Sequence, residues 1–177
     1  MLSNDLLERA MKFHGHLGPF LILGLKAALL GTHYLGKDYF EVKATVETNP
    51  HPPRSCFIDG IQFASGCTTG KGNLEVRTSS NVSVEFVRDQ RRIRLTVKDA
   101  ILNILDQMTS EKVEMMNREI LEKTDDELFL IRENLHRHST EKKHADRNEA
   151  QQKHSKDFMK GFRVFELGLN SFMSVKC

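Results

Sequence analysis

The stretch that most limits how this chain can fold runs from Pro19 to His33, PFLILGLKAALLGTH. Proline is favoured in the first turn of a helix, where a missing N–H costs nothing. The residues behind it are apolar nearly all round, which predicts a helix buried on every side rather than one lying on a surface. The apolar run Leu17 to Leu30 is too short to span a bilayer and contains Lys26, so a membrane-spanning role is not expected. Gly24, Ala28 and Gly31 follow one another at helical spacing and form a smooth stripe where another backbone can approach closely.

Before this helix, Ser3 or Asn4 can cap a first one, with Asp5 in its first turn and Leu6, Leu7, Ala10 and Met11 on one face before Gly15 interrupts. After it the period changes to two. Val42, Ala44 and Val46 alternate with polar residues, and the pattern returns in LEVR from Leu74, VSVEF from Val82 and RIRLTV from Arg92. The last three are joined by short polar connections, TSSN and RDQR, which predicts an antiparallel meander with one face on the helices. Helical spacing resumes with Ile101, Leu102, Leu105 and Met108, and again with Val113, Met116, Ile120 and Leu121. Thr124 and Glu127 form a capping-box pattern that predicts a further short helix over DELFLIREN. The expected class is α+β.

One domain over residues 1–135 and an extension over 136–177 are expected. From His136 to Asp157 the only apolar residues are Ala145 and Ala150, too few to build a core. The end of the chain turns apolar again, and Phe158, Phe162, Phe165 and Leu169 are expected to dock on the core or on a second copy. The formal charge of +2 on 177 residues names no partner. Nucleic acid is not expected, because the basic extension has no aromatics interleaved with its charges. Three cysteines, an odd number in a chain of this size, do not resemble a secreted disulfide framework. The start MLSNDLLERA lacks the basic and apolar regions of a signal peptide. A reducing, cytoplasmic setting is expected.

The segment SGCTTGKGN, residues 65–73, invites a phosphate-loop reading that its spacing defeats. Gly66 to Gly70 is one residue short of the motif, Gly72 stands where a magnesium-binding hydroxyl is needed, and a strand rather than a helix is expected next. The glycines instead permit a tight turn around Cys67, where Lys71 would favour thiolate. Cys56 offers a second thiol at the start of a helix, a position that also favours thiolate, with Asp59 on the same face. NPHPPR before it predicts an extended approach. His14 and His16 would point about 200° apart on a regular helix, so both reach one ion only if Gly15 breaks it. Thiolate with imidazole suits zinc or a similar transition metal. Buried free cysteines as plain core residues, and a histidine capping helix carbonyls, account for the same residues without a metal.

Taken together, FHGHLGP near the start and SCFIDGIQFASGCTTGKGNL further on, with strands after the second block, resemble the formylmethanofuran dehydrogenase E-subunit (FmdE) family over roughly residues 5 to 130. The resemblance implies an α+β domain, commonly dimeric, that binds a metal, usually zinc. Position by position it implies His14, His16, Cys56 and Cys67 as ligands, with Asp59 and Lys71 alongside. This chain has Gly18 where many members carry a cysteine, and it has no CxxC pair after Cys67 for a C-terminal zinc ribbon. Two functions are implied. One is a metal-binding accessory to a molybdenum or tungsten enzyme of one-carbon metabolism. The other is a free-standing metalloenzyme with an open coordination position, in which Cys67, Asp59 and Lys71 serve the chemistry.

Overall fold

In the computed structural model the described residues are 2–135; the apolar C-terminal segment expected to dock lies outside them. Two helices come first. α1 (Asn4–His14) is capped by the Ser3 hydroxyl, which accepts from the Leu6 amide, and is closed by Gly15 at φ 96°. α2 (Pro19–Leu35) starts at the proline and runs one half-turn past the expected end. It is buried along its length, as its lack of a polar face requires.

The sheet has five strands in the order β2-β1-β3-β4-β5, where β1 is Lys43–Thr48, β2 Leu74–Thr78, β3 Ser83–Arg88, β4 Arg91–Val97 and β5 Phe129–Leu135. β3 and β4 form the predicted hairpin, but β2 does not continue the meander. It pairs in parallel with β1, while β1 pairs antiparallel with β3. The reason lies in α3 (Cys56–Ser65), which carries the chain from β1 back to the same end of the sheet. A crossover of that kind delivers the next strand parallel to the first. β2 is then an edge strand, and most of its residues are exposed. The sheet is therefore mixed within an α+β fold.

The remaining helices are α4 (Asp99–Asp106), α5 (Val113–Glu122) and α6 (Asp125–Leu128), with a single 3-10 turn, Ser110–Lys112, between α4 and α5. Both halves of the Thr124–Glu127 capping box are made. The helix they open nevertheless lasts one turn, because Phe129 to Leu135 pair antiparallel with β4, opposite Val97 to Arg91. Pairing puts Phe129 opposite Val97 and Ile131 opposite Leu95 on the core side, so sheet burial outweighs the local helical signal.

α2 lies between the sheet and α3, and the glycine stripe is what lets it. A Cβ on Gly24 would lie 2.3 Å from the Phe57 carbonyl oxygen, and one on Gly60 would lie 2.4 Å from that of Leu21. At Gly31 a Cβ would fall within the Phe86 ring's contact distance, 2.3 Å from its edge. The smooth stripe is thus used within the chain, by α3 and β3. Lys26, the one charge in this helix, donates to the carbonyls of Ile120, at 3.0 Å, and Lys123, closing α5. Burial lowers its pKa, against the charges of Asp125 and Glu127. Among the described residues no helix is long and apolar enough to cross a membrane.

Candidate metal centre

The break needed at Gly15 is present. α1 ends at His14, Gly15 turns in the left-handed region, and α2 begins after Gly18. The reversal brings the rings of His14 and His16 to 4.6 Å between centroids. Across the α1–α3 groove sits Cys56, the first residue of α3. One donor atom from each of His14, His16 and Cys56 falls within 4.8 Å of the others. Donors around tetrahedral zinc stand about 3.3 to 3.7 Å apart, given metal–nitrogen and metal–sulfur bonds of about 2.0 and 2.3 Å. Closing that gap asks for a shift of about 1 Å, and His16, exposed on a short connection, is free to supply it.

His14 is the fixed member. Its Nδ1 is 2.7 Å from Asp59 Oδ2, and its side chain is only 9% exposed. Its Nε2 is buried and has no hydrogen-bond partner among the described residues. An unpaired buried polar atom costs about 1–3 kcal/mol. A carboxylate on one ring nitrogen, with the other left for the metal, is the arrangement that orients metal-binding histidines and makes them more basic. Gln62 extends the network by donating to Asp59 Oδ1 at 3.5 Å. The site therefore fits a borderline transition metal on three counts: donor chemistry, proximity and an orphaned nitrogen.

The thiols differ from expectation. The Cys56 thiol is pushed up by burial and by the Asp59 charge, against its own backbone amide, so the helix start does not by itself yield thiolate. Cys67 lies apart from the other three candidates. α3 spans ten residues, about 15 Å of axis, and Cys67 follows its far end. There the thiol is fully buried and donates to the Val42 carbonyl at 3.4 Å. Burial pushes its pKa up, with Ser65 and Lys71 only opposing. Lys71 acts on that thiol through its charge alone, which burial outweighs. Its ammonium donates to the carbonyls of Gly66 and, at 2.8 Å, Tyr39, binding the exposed end of α3 to the loop before β1.

The whole segment SGCTTGKGN acts as a clasp. Gly66 and Gly72 take positive φ, 75° and 69°, as a tight turn requires. Asn73 accepts from the Thr68 amide at 2.9 Å and donates to Val42 and Tyr39. It follows α3 and leads into β2, the reverse of a phosphate loop. NPHPPR also departs from expectation: the chain winds into α3 through a turn, with the Ser55, Cys56 and Phe57 amides bonded to His51, Pro53 and Arg54. Asn117 of α5 escaped notice in the sequence. Its side-chain amide donates to the Leu17 carbonyl at 3.1 Å and pins the connection that carries His16. One hundred residues separate the two, and no local pattern announces the contact.

An α+β domain whose paired histidines face a cysteine at a helix start defines the class of protein. Residues 13–160 match the family model FmdE, described as molybdenum formylmethanofuran dehydrogenase operon, and the chain belongs to this family. A protein of Archaeoglobus fulgidus described as a probable S-adenosyl-L-methionine-binding protein is 30% identical over 125 residues, which are 66% of this chain and 32% of that protein. The chain thus spans about a third of the length of this curated relative. The crystal structure of a tungsten formylmethanofuran dehydrogenase FmdE-like protein from Syntrophus aciditrophicus superposes with a TM-score of 0.58 at 22% identity, covering 80% of this chain and 77% of that one. At that identity the likeness speaks to the fold.

Proposed function

We propose that His14, His16 and Cys56 hold a divalent transition metal, zinc by the chemistry of the donor set, and that the protein is a cytoplasmic accessory to a molybdenum or tungsten enzyme of one-carbon metabolism. The observation that carries the metal is the buried Nε2 of His14, which has no partner among the described residues and whose other nitrogen is already held by Asp59. The ion would supply a positive charge that draws the Cys56 proton off and keeps the thiolate, which burial alone opposes. The protein's own part is orientation: Asp59 fixes one ring, Asn117 fixes the backbone beside the other, and α3 delivers the sulfur. The accessory role is supported by the family's association with a molybdenum formylmethanofuran dehydrogenase operon.

A free-standing metalloenzyme built on the same three residues is the second reading, favoured by a donor count of three, which leaves one position of a four-coordinate ion for an outside ligand. In it Asp59 would hold or pass a proton through His14 Nδ1. A homodimer, implied by the resemblance, would use surfaces other than the Gly24–Ala28–Gly31 stripe. Metal analysis of the purified chain tests the common premise. One ion per chain is expected in wild type, strong loss in Cys56→Ser, and retention in Cys67→Ser. Equal occupancy in wild type and Cys56→Ser removes this centre.

A further inference from the structure

One side of α2 lacks the cover that the rest of the helix has. A helix with no polar face needs cover all round. Yet Lys26, Leu29, Leu30 and His33, which share a side at i, i+3, i+4 and i+7, are half-buried or exposed among the described residues. Beside them opens a cleft of about 800 Å³, walled by α2, by Leu2 ahead of α1 and by the α5–α6 junction from Leu121 to Asp125. Small-molecule sites have volumes of about 300 to 1,000 Å³ and walls that are mostly apolar, with a few polar groups placed among them. Leu29 lies about 15 Å along the α2 axis from Pro19, so this cleft is separate from the His14–His16–Cys56 group.

Two opposite charges line the cleft without meeting. The Lys26 ammonium has three protons to donate. The carbonyls of Ile120 and Lys123 take two, and the third has no acceptor among the described residues. Asp125 acts on Lys26 through its charge, against the cost of burial, but the two form no ion pair. Both side chains belong to half-buried residues, and a charge withdrawn from water without a direct partner is costly. The other charged groups are differently placed: Lys123 pairs with Glu119 at 3.3 Å, and Glu122 and His33 are exposed. Leu2, Leu29, Leu30 and Leu121 supply the apolar wall. An anion would gain Lys26 and meet Asp125, and a cation would do the reverse. A molecule that carries both charges a bond or two apart satisfies the pair. We propose that this cleft binds a free amino acid with an aliphatic side chain, its carboxylate on Lys26, its ammonium on Asp125 and its side chain against the leucines.

Three molecules with one alkyl chain separate these contacts. L-norleucine carries both charges, hexanoate lacks the ammonium and pentylamine lacks the carboxylate. Each is titrated into the isotope-labelled full-length chain and followed by the amide shifts in NMR spectra. Norleucine is expected to move the Leu30, His33, Leu121 and Thr124 amides saturably. Hexanoate and pentylamine should each bind about tenfold or more weaker, the scale of one lost hydrogen bond to a charged group. Lys26→Met should weaken norleucine and hexanoate but not pentylamine, whereas Asp125→Asn should weaken norleucine and pentylamine but not hexanoate. A role for Lys26 confined to holding the α5 carbonyls would not give this reciprocal pattern. Asp125→Asn, at the start of a one-turn helix, keeps the test open should Lys26→Met fail to fold. Norleucine without a saturable shift at these amides overturns the site. Hexanoate or pentylamine binding as tightly as norleucine overturns the choice of a zwitterion, and wild-type norleucine affinity in either variant overturns the seat of that head group. None of these readouts depends on the metal centre.

Discussion

Replacing Gly60 with alanine tests how the fold holds the centre together. At this position α3 crosses α2 with backbone against backbone: the new methyl would lie 2.4 Å from the Leu21 carbonyl oxygen, 2.7 Å from the Leu25 nitrogen and 2.8 Å from the Gly24 Cα. All three are main-chain atoms inside α2, so no side-chain rotation relieves the clash. The helices must part by about 1 Å to restore ordinary contact, and a gap of that size forfeits a quarter to a half of the dispersion energy across it. Leu21, Leu25, Phe57 and Ile61, all fully buried, line the loosened interface. Overpacking of this kind costs about 1–3 kcal/mol, and rigid backbone neighbours put it at the upper end. Alanine returns about 1 kcal/mol through helix propensity. The net expectation is a destabilisation of about 2 kcal/mol, a fall in Tm of about 4 to 8 °C. Because α3 also carries Cys56 and Asp59, the same shift should weaken metal binding. Urea unfolding with the metal removed gives the first number and chelator competition the second, with Gly70→Ala, whose Cβ meets nothing within 4 Å, as control. Stability within about 0.5 kcal/mol of wild type, the usual range for an innocuous surface change, would refute the reasoning.

Asp59→Asn should weaken metal binding by about 10- to 100-fold, the usual cost of losing the partner of a ligating histidine, while leaving the fold intact; unchanged affinity in chelator competition would show that the His14–Asp59 contact is merely structural. Acid stability should depend on Glu47, whose carboxyl the hydrogen-bonded Arg94 guanidinium holds below the ordinary carboxylate range against the cost of burial. A depressed folded pKa contributes stability that is present above about pH 4.3, the unfolded value, and is lost as pH falls through the folded one. Urea midpoints of Glu47→Gln should therefore fall less steeply than those of wild type below about pH 4.3, and parallel acid limbs would count against the pair.

What could be read from the sequence was whatever a single element decides for itself. The Pro19 helix announced its burial by having no polar face, and the break at Gly15 followed from the requirement that His14 and His16 meet. The Thr124 box was legible and real, but its helix was cut short by a partner strand thirty-odd residues away, which no local pattern encodes. β2 was misjudged for a related reason. Its short link to β3 resembles a hairpin, whereas its place was settled by the α3 crossover behind it. The stripe of small residues is a place for close approach, as its spacing predicts, and its occupants are α3 and the Phe86 ring of β3, which no local pattern names.

The two cysteines show how one recognisable block is shared between two places in the fold. Cys56 and Cys67 are eleven positions apart in one recognisable block, and both stand beside residues that could favour thiolate. A ten-residue helix between them sends the two to opposite ends. Among the described residues only the first groups with His14 and His16. The second donates to a backbone carbonyl in the core, and Lys71 donates to the carbonyls of Gly66, just past the same helix, and of Tyr39, in the loop before β1. The glycines, the buried thiol, the lysine and Asn73 together lock α3 to the loop before β1 and to the start of β2. That lock fixes one end of α3 while the Gly24–Gly60 crossing fixes its middle. Cys56 and Asp59 at the other end are thereby held against His14, and in the proposed centre that is the service the loop renders without contributing a donor.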